Sequence, residues 1–89
     1  MYDEFKALVC ELAARDDLTM HGLLPIPLLR RETGTRIGRA ELDAFLLRMH
    51  AEGLVHLLSH VEFEKLPPAV RRDMLHLPSG LDLYWVRML

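Results

Sequence analysis

Five arginines, Arg30, Arg31, Arg36, Arg39 and Arg48, fall between positions 30 and 48 of this chain. A guanidinium keeps its charge at any working pH and presents a planar fork of donors, so such a cluster is the residue type that grips phosphate. Glu32, Glu41 and Asp43 share the stretch, so it reads first as a solvated, self-neutralising rim, next as a phosphate contact and last as an Arg-rich protein interface. Five histidines raise the question of metal. His56 and His60 would share one side of an extended strand, but four residues of strand separate them by about 13 Å, too far for one ion. Cys10 stands alone, with no CxxC and no local histidine to activate it, and is expected as a small packed side chain. GxSxG, P-loop and HExxH motifs are absent from the sequence. Carboxylate pairs at Asp16-Asp17 and Glu62/Glu64 are expected as solubilising charges. We expect no enzyme, no metal and no cofactor.

The elements that must position these residues are readable from periodicity. With 89 residues and 51% hydrophobic content, one core over residues 1–89 is the natural solution. The apolar runs are too short for a membrane span and no signal-peptide pattern opens the sequence, so a cytoplasmic protein is expected. A net charge of −2 lacks the basic excess of a strong nucleic-acid binder, although a local patch can still act.

Phe5, Leu8, Val9 and Leu12 predict a helix over 3–16, and Leu23-Leu24-Pro25-Ile26 a short extended segment fit only for a sheet edge. Pro27 opens a two-turn helix that Gly34 stops, and Gly38 caps a third helix with Leu42, Phe45, Leu46 and Met49 on its inner face. Residues 54–61 and 81–89 predict two strands, the second with Leu81, Leu83 and Trp85 inward and Tyr84, Val86 and Met88 outward. Between them, Leu66, Val70 and Met74 predict a short helix over 66–75 packed back on the domain. The expected core joins the third helix to Phe5, Leu8, Leu12, Ile37 and Trp85.

Helix, extended segment, helix, tight turn, helix, strand, strand resembles the winged helix-turn-helix superfamily. The stretch from Pro27 to Val55 carries the likeness, with Ile37 as the buried turn residue and Glu52-Gly53-Leu54-Val55 as the exit into the first wing strand. The resemblance implies an α+β fold: a three-helix bundle with a small antiparallel β-hairpin, the wing, here with a short helical insertion in the wing connection. It also implies a ligand drawn from DNA, RNA or protein, which the topology alone does not choose.

Two features depart from DNA-binding relatives. Gly38 stands where Ser or Thr often contacts phosphate, and the wing connection is long and apolar, with charges that cancel. The outer side of the third helix carries Ala40, Asp43, Ala44 and Leu47, a poor set for reading bases. We therefore expect a non-enzymatic interaction or oligomerisation module, a dimer or a part of a larger assembly, using Ala40, Asp43, Ala44, Leu47, Tyr84 and Val86 against a protein partner or a second copy. The alternative is a DNA-binding transcriptional regulator touching phosphates through Arg30, Arg31, Arg36 and Arg39.

Overall fold

The computed structural model describes residues 1–17 and 19–89, the Phe63 side chain excepted. Helix α1 spans Tyr2–Ala13, buries Phe5, Val9 and Leu12, and has Asp3 and Glu4 in its first turn, where exposed N–H groups favour acids. It ends earlier than its periodicity predicts, before Arg15, which pairs with Asp17 at 3.0 Å. Met20 and Leu23 exchange backbone hydrogen bonds around His21-Gly22, whose φ values of 52° and 79° form a tight hairpin turn. Strand β1, Leu23–Pro25, follows and leads directly into α2, Ile26–Thr33, whose early Pro27 needs no N–H. Gly34 ends α2 with φ 57°, a conformation strained for any residue with a Cβ. Helix α3, Arg39–Ala51, starts after Gly38 and buries Leu42, Leu46 and Met49.

The C-terminal third is more divided than predicted. Strand β2 is Val55–Leu58, a single 3-10 turn covers Phe63–Lys65, and α4 is Pro68–Arg72. Strands β3, Leu75–His76, and β4, Asp82–Leu83, form a two-stranded hairpin that the periodicity does not foretell. Strand β5, Trp85–Met88, then lies between β1 and β2 in a three-stranded antiparallel sheet. Leu24 faces Val86 across one ladder and Leu57 faces Val86 across the other. The described residues form a small compact α+β domain, with four α-helices among them, a three-stranded antiparallel sheet and a separate hairpin. As expected, the segment before α2 is a sheet edge.

Val86 is 0% exposed, at the centre of the core, and so is no outward partner-binding residue. The cause is at Tyr84. Its N–H donates to the Leu58 carbonyl at 2.8 Å and its carbonyl accepts from the Ile26 N–H at 2.7 Å, outside both flanking strands. Leu83 and Val86 are both buried although three residues apart, so the inward–outward alternation slips by one between them. Trp85 is thereby turned to the other face of the sheet, half-buried and outside the core, and Leu81 is exposed. Phe45, Leu8 and Ile37 pack against the core only from its rim. In the insertion Met74 is buried, while Leu66 and Val70 are half-buried.

The ends of α1 and α3 are tied together at their surfaces. Phe45 sits between Phe5 and Tyr2, with ring centroids at 5.3 and 5.5 Å. The Tyr2 hydroxyl donates to Glu52 Oε1 at 2.7 Å, and Arg48 lies 4.0 Å over the Tyr2 ring. The Tyr2 hydrogen bond, helped by the Arg48 charge, holds the Glu52 carboxyl below its usual range. The resulting stabilisation is present above the ordinary glutamate range and disappears as the pH falls through the lowered folded value.

Two outcomes are expected. Leu46→Ala should cost about 2–5 kcal/mol in denaturant unfolding, since a fully buried side chain leaves both a transfer loss and a cavity. Tyr2→Phe should raise the Glu52 titration midpoint toward the ordinary value in an NMR pH series; an unchanged midpoint would dismiss the hydroxyl as its cause.

Candidate functional site

The arginine cluster is where the sequence points first, and the fold engages most of it with the chain's own groups while turning only Arg30 inward. Arg30, from the middle of α2, is only 11% exposed. Its Nε donates to the Asp73 carbonyl at 2.6 Å, and its Nη2 donates to Asp43 Oδ1 at 2.6 Å and to the Met74 carbonyl at 3.3 Å. Arg39, in the first turn of α3, donates through Nη2 to the carbonyls of Arg72 and, at 2.9 Å, Met74. The carbonyls that end α4 have no intrahelical donors, and two guanidinium groups from α2 and α3 supply them. Arg36 serves the end of α2 in the same way, donating to the carbonyls of Glu32 at 3.1 Å and Thr33 at 3.4 Å. Arg48 is engaged by Glu52 and Tyr2. Among the described residues, Arg31 alone of the five has neither a hydrogen bond nor an ion pair.

This arrangement alters both candidate sets. Arg30, Arg36 and Arg39 direct donors at the chain's own carbonyls, while the side chains of Arg36 and Arg39 stay exposed. Asp43 is held by Arg30 with its side chain 23% exposed, and is a structural partner before it is anything else. Sequence reasoning missed the acceptors because they are backbone atoms. The available signal was Pro67-Pro68, which starts a short helix whose last carbonyls must find donors near residues 72–74.

Ala40, Ala44 and Leu47 of the expected partner surface do lie together, exposed on the side of α3 away from the core, and Ala51 extends the row. Leu47 is 38% exposed. Buried positions 42, 46 and 49 fill the opposite side, so α3 is apolar on two faces, a pattern expected of a helix covered on both.

Tyr84 belongs to a different surface. It meets Trp85 edge-on at 4.5 Å and His60 at 4.9 Å, while His60 stacks on Trp85 at 5.7 Å and 16°. Burial raises the Tyr84 phenol above its ordinary value, with the Arg31 charge pulling partly back. The His60 ring accepts the Glu62 N–H on Nδ1 at 3.0 Å. The three half-buried rings pack on one another as one cluster.

The histidines are dispersed: His56 is exposed in β2 and His60 lies beyond its end. No group of three or more His, Cys, Asp or Glu side chains that could hold a metal occurs among the described residues. Cys10 is exposed on α1 rather than packed, because it lies off the Phe5, Val9, Leu12 stripe. His76 and Asp82 form a 2.6 Å pair across the β3–β4 hairpin. No helix among the described residues is long and apolar enough to cross a membrane.

Arg30→Ala should cost about 3 kcal/mol of unfolding free energy, because it strands the half-buried Asp43 carboxylate and the Asp73 carbonyl together. Arg31→Ala should stay within about 0.5 kcal/mol. Equal small losses for both in urea titrations would show that the buried pair holds nothing. No protein-family model, curated protein or solved structure matches the chain.

Proposed function

We propose that this chain is a winged helix-turn-helix domain serving as a non-enzymatic protein-interaction module, with the outer face of α3 as its docking surface. The winged-helix assignment is supported by element order: α1, edge strand, α2, tight turn, α3, then strands, with β5 between β1 and β2. The hairpin β3–β4 and helix α4 occupy the connection between the two wing strands, β2 and β5. A partner that lays a helix on α3 would cover Ala40, Ala44 and Leu47 from water, and the alanines would let its backbone approach closely. Self-association through the same face is the simplest form of such an interaction.

The observation that carries the proposal is the exposed apolar row on α3, the helix that a DNA-binding member of this superfamily would use to read bases. Such a helix needs donors and acceptors at those positions. Here it offers methyl groups, and the arginines beside it are committed to carbonyls within the domain. Arg30 is nearly enclosed by those bonds, which leaves a duplex Arg31 and the remaining nitrogens of Arg36 and Arg39.

Light scattering over a concentration series, beside fluorescence anisotropy on mixed-sequence duplex at low salt, separates protein binding from DNA binding. The expected outcome is concentration-dependent self-association, or capture of a protein partner, abolished by Leu47→Asp while the circular dichroism spectrum stays native. Micromolar or tighter duplex binding by a strictly monomeric protein, falling steeply with salt and with Arg31→Ala, would overturn it in favour of a DNA-binding regulator.

A further inference from the structure

The charges that flank the apolar row on α3 stand in a definite order. At about 100° per residue, Ala40, Ala44, Leu47 and Ala51 fall within an arc of about 60° on the outer side of the helix, opposite the buried Leu42, Leu46 and Met49. The same geometry places Glu41 and Arg48 along one flank of the row and Asp43 and His50 along the other. Each flank has its acid in the N-terminal half of the helix and its base in the C-terminal half. Glu41 is exposed and, among the described residues, has neither a hydrogen bond nor an ion pair. Arg48 has a side chain 59% exposed and bonds Glu52 through Nε alone. His50 is exposed as well, and Asp43 bonds Arg30 through one of its two carboxylate oxygens.

We propose that the outer face of α3 is covered by the α3 of a second copy of this chain, antiparallel to the first about a two-fold axis that passes between Ala44 and Leu47. The proposal rests on the reading of that face as a docking surface and names its partner. A two-fold axis turns the helix end for end, so the same patch serves on both copies and each position meets one from the opposite half. Ala44 meets Leu47 of the second copy, a small side chain against a large one, and Ala40 meets Ala51. On one flank Glu41 comes beside Arg48 of the second copy, and on the other Asp43 comes beside His50. Each contact occurs twice. The nearest charged neighbour of every acid across the seam is thus a basic side chain, and that complementarity is what selects the second copy. A helix from another protein sets no such condition on the order of charges along α3, whereas pairing end for end with itself does. A parallel pair would instead turn Asp43 toward Arg48, and Asp43 is already held by Arg30.

Sedimentation equilibrium of the full chain at low salt, run on the parent, on Glu41→Arg, on Arg48→Glu and on an equimolar mixture of the two variants, tests the proposal. The parent is expected to dimerise, less tightly as salt is raised. Either variant alone sets like charges together at both contacts of one flank and should dimerise roughly tenfold more weakly. The mixture restores both contacts with their signs exchanged, so the two variants should pair with each other in preference to themselves. Recovery on mixing separates a charge effect from damage to the fold, which mixing does not repair. Glu41→Arg alters an exposed side chain with no partner in the domain, so its effect stands even if Arg48→Glu disturbs the contact with Tyr2. A parent that stays monomeric into the millimolar range would overturn the second copy as occupant while leaving the face open to another protein. A dimer that Leu47→Asp disrupts but Glu41→Arg leaves unchanged, or variants that fail to recover on mixing, would overturn the antiparallel arrangement. A dimer indifferent to Leu47→Asp would remove the docking face itself, and the proposal with it.

Discussion

The ion pair between Arg30 and Asp43 decides how the pieces of this domain stand relative to one another. It joins α2 to α3 directly, and the same guanidinium reaches the carbonyls of Asp73 and Met74, more than forty residues further along the chain. A long hydrophobic contact could hold these elements together, but it would not fix their angle. Five donors in a rigid fork do, because each bond has both a length and a direction. Arg39 repeats the contact from α3. The insertion between β2 and β5 is thereby attached to the helices instead of swinging from the sheet, which is why Met74 can be buried and the β3–β4 hairpin can add Leu75 and Leu83 to the core.

The same pair accounts for the tension between composition and role. A cluster of arginines suggests phosphate, and on sequence alone the acids among them, Glu32, Glu41 and Asp43, offer only a rim of mixed charge as the other reading. Charge is a property of the side chain, whereas availability depends on what surrounds it. Here α4 ends within reach of α2 and α3, and helix ends are strong acceptors. What the cluster has left over is small and local: Arg31 and the remaining nitrogens of Arg36 and Arg39.

Periodicity was a sound guide wherever one face of an element is buried over several turns. Phe5, Val9 and Leu12 in α1 and Leu42, Leu46 and Met49 in α3 are legible because a helix repeats its pattern enough times to be recognised. The stops at Gly34 and Gly53 and the edge character of Leu23–Pro25 follow from backbone constraints that single residues carry. The final strand defeated the same approach. One residue out of alternation at Tyr84 reverses every side chain beyond it, sending Val86 in and Trp85 out, and a hydrophobic sequence on both faces gives no warning of the slip. Two-residue strands such as Leu75–His76 are too short to have a pattern. On the functional side Ala40, Ala44 and Leu47 were legible as an outward row, whereas the fate of Arg30, Arg39 and Asp43 depended on partners remote in sequence and mostly in the backbone.

Within the three-stranded sheet β1 and β2 do not pair with each other; both pair with β5. The edges they turn toward each other stay unmet until residues 85–88 arrive between them, 60 residues after the end of β1 in the one case and 27 after the end of β2 in the other. The helices can form from local contacts, and their inner faces can begin to collect, but the sheet cannot be built by halves. Its closure pays the entropy of both long loops in a single event. Folding of this domain is therefore expected to be late and cooperative at its centre: the strand that completes the sheet also delivers Val86, the side chain that seals the core.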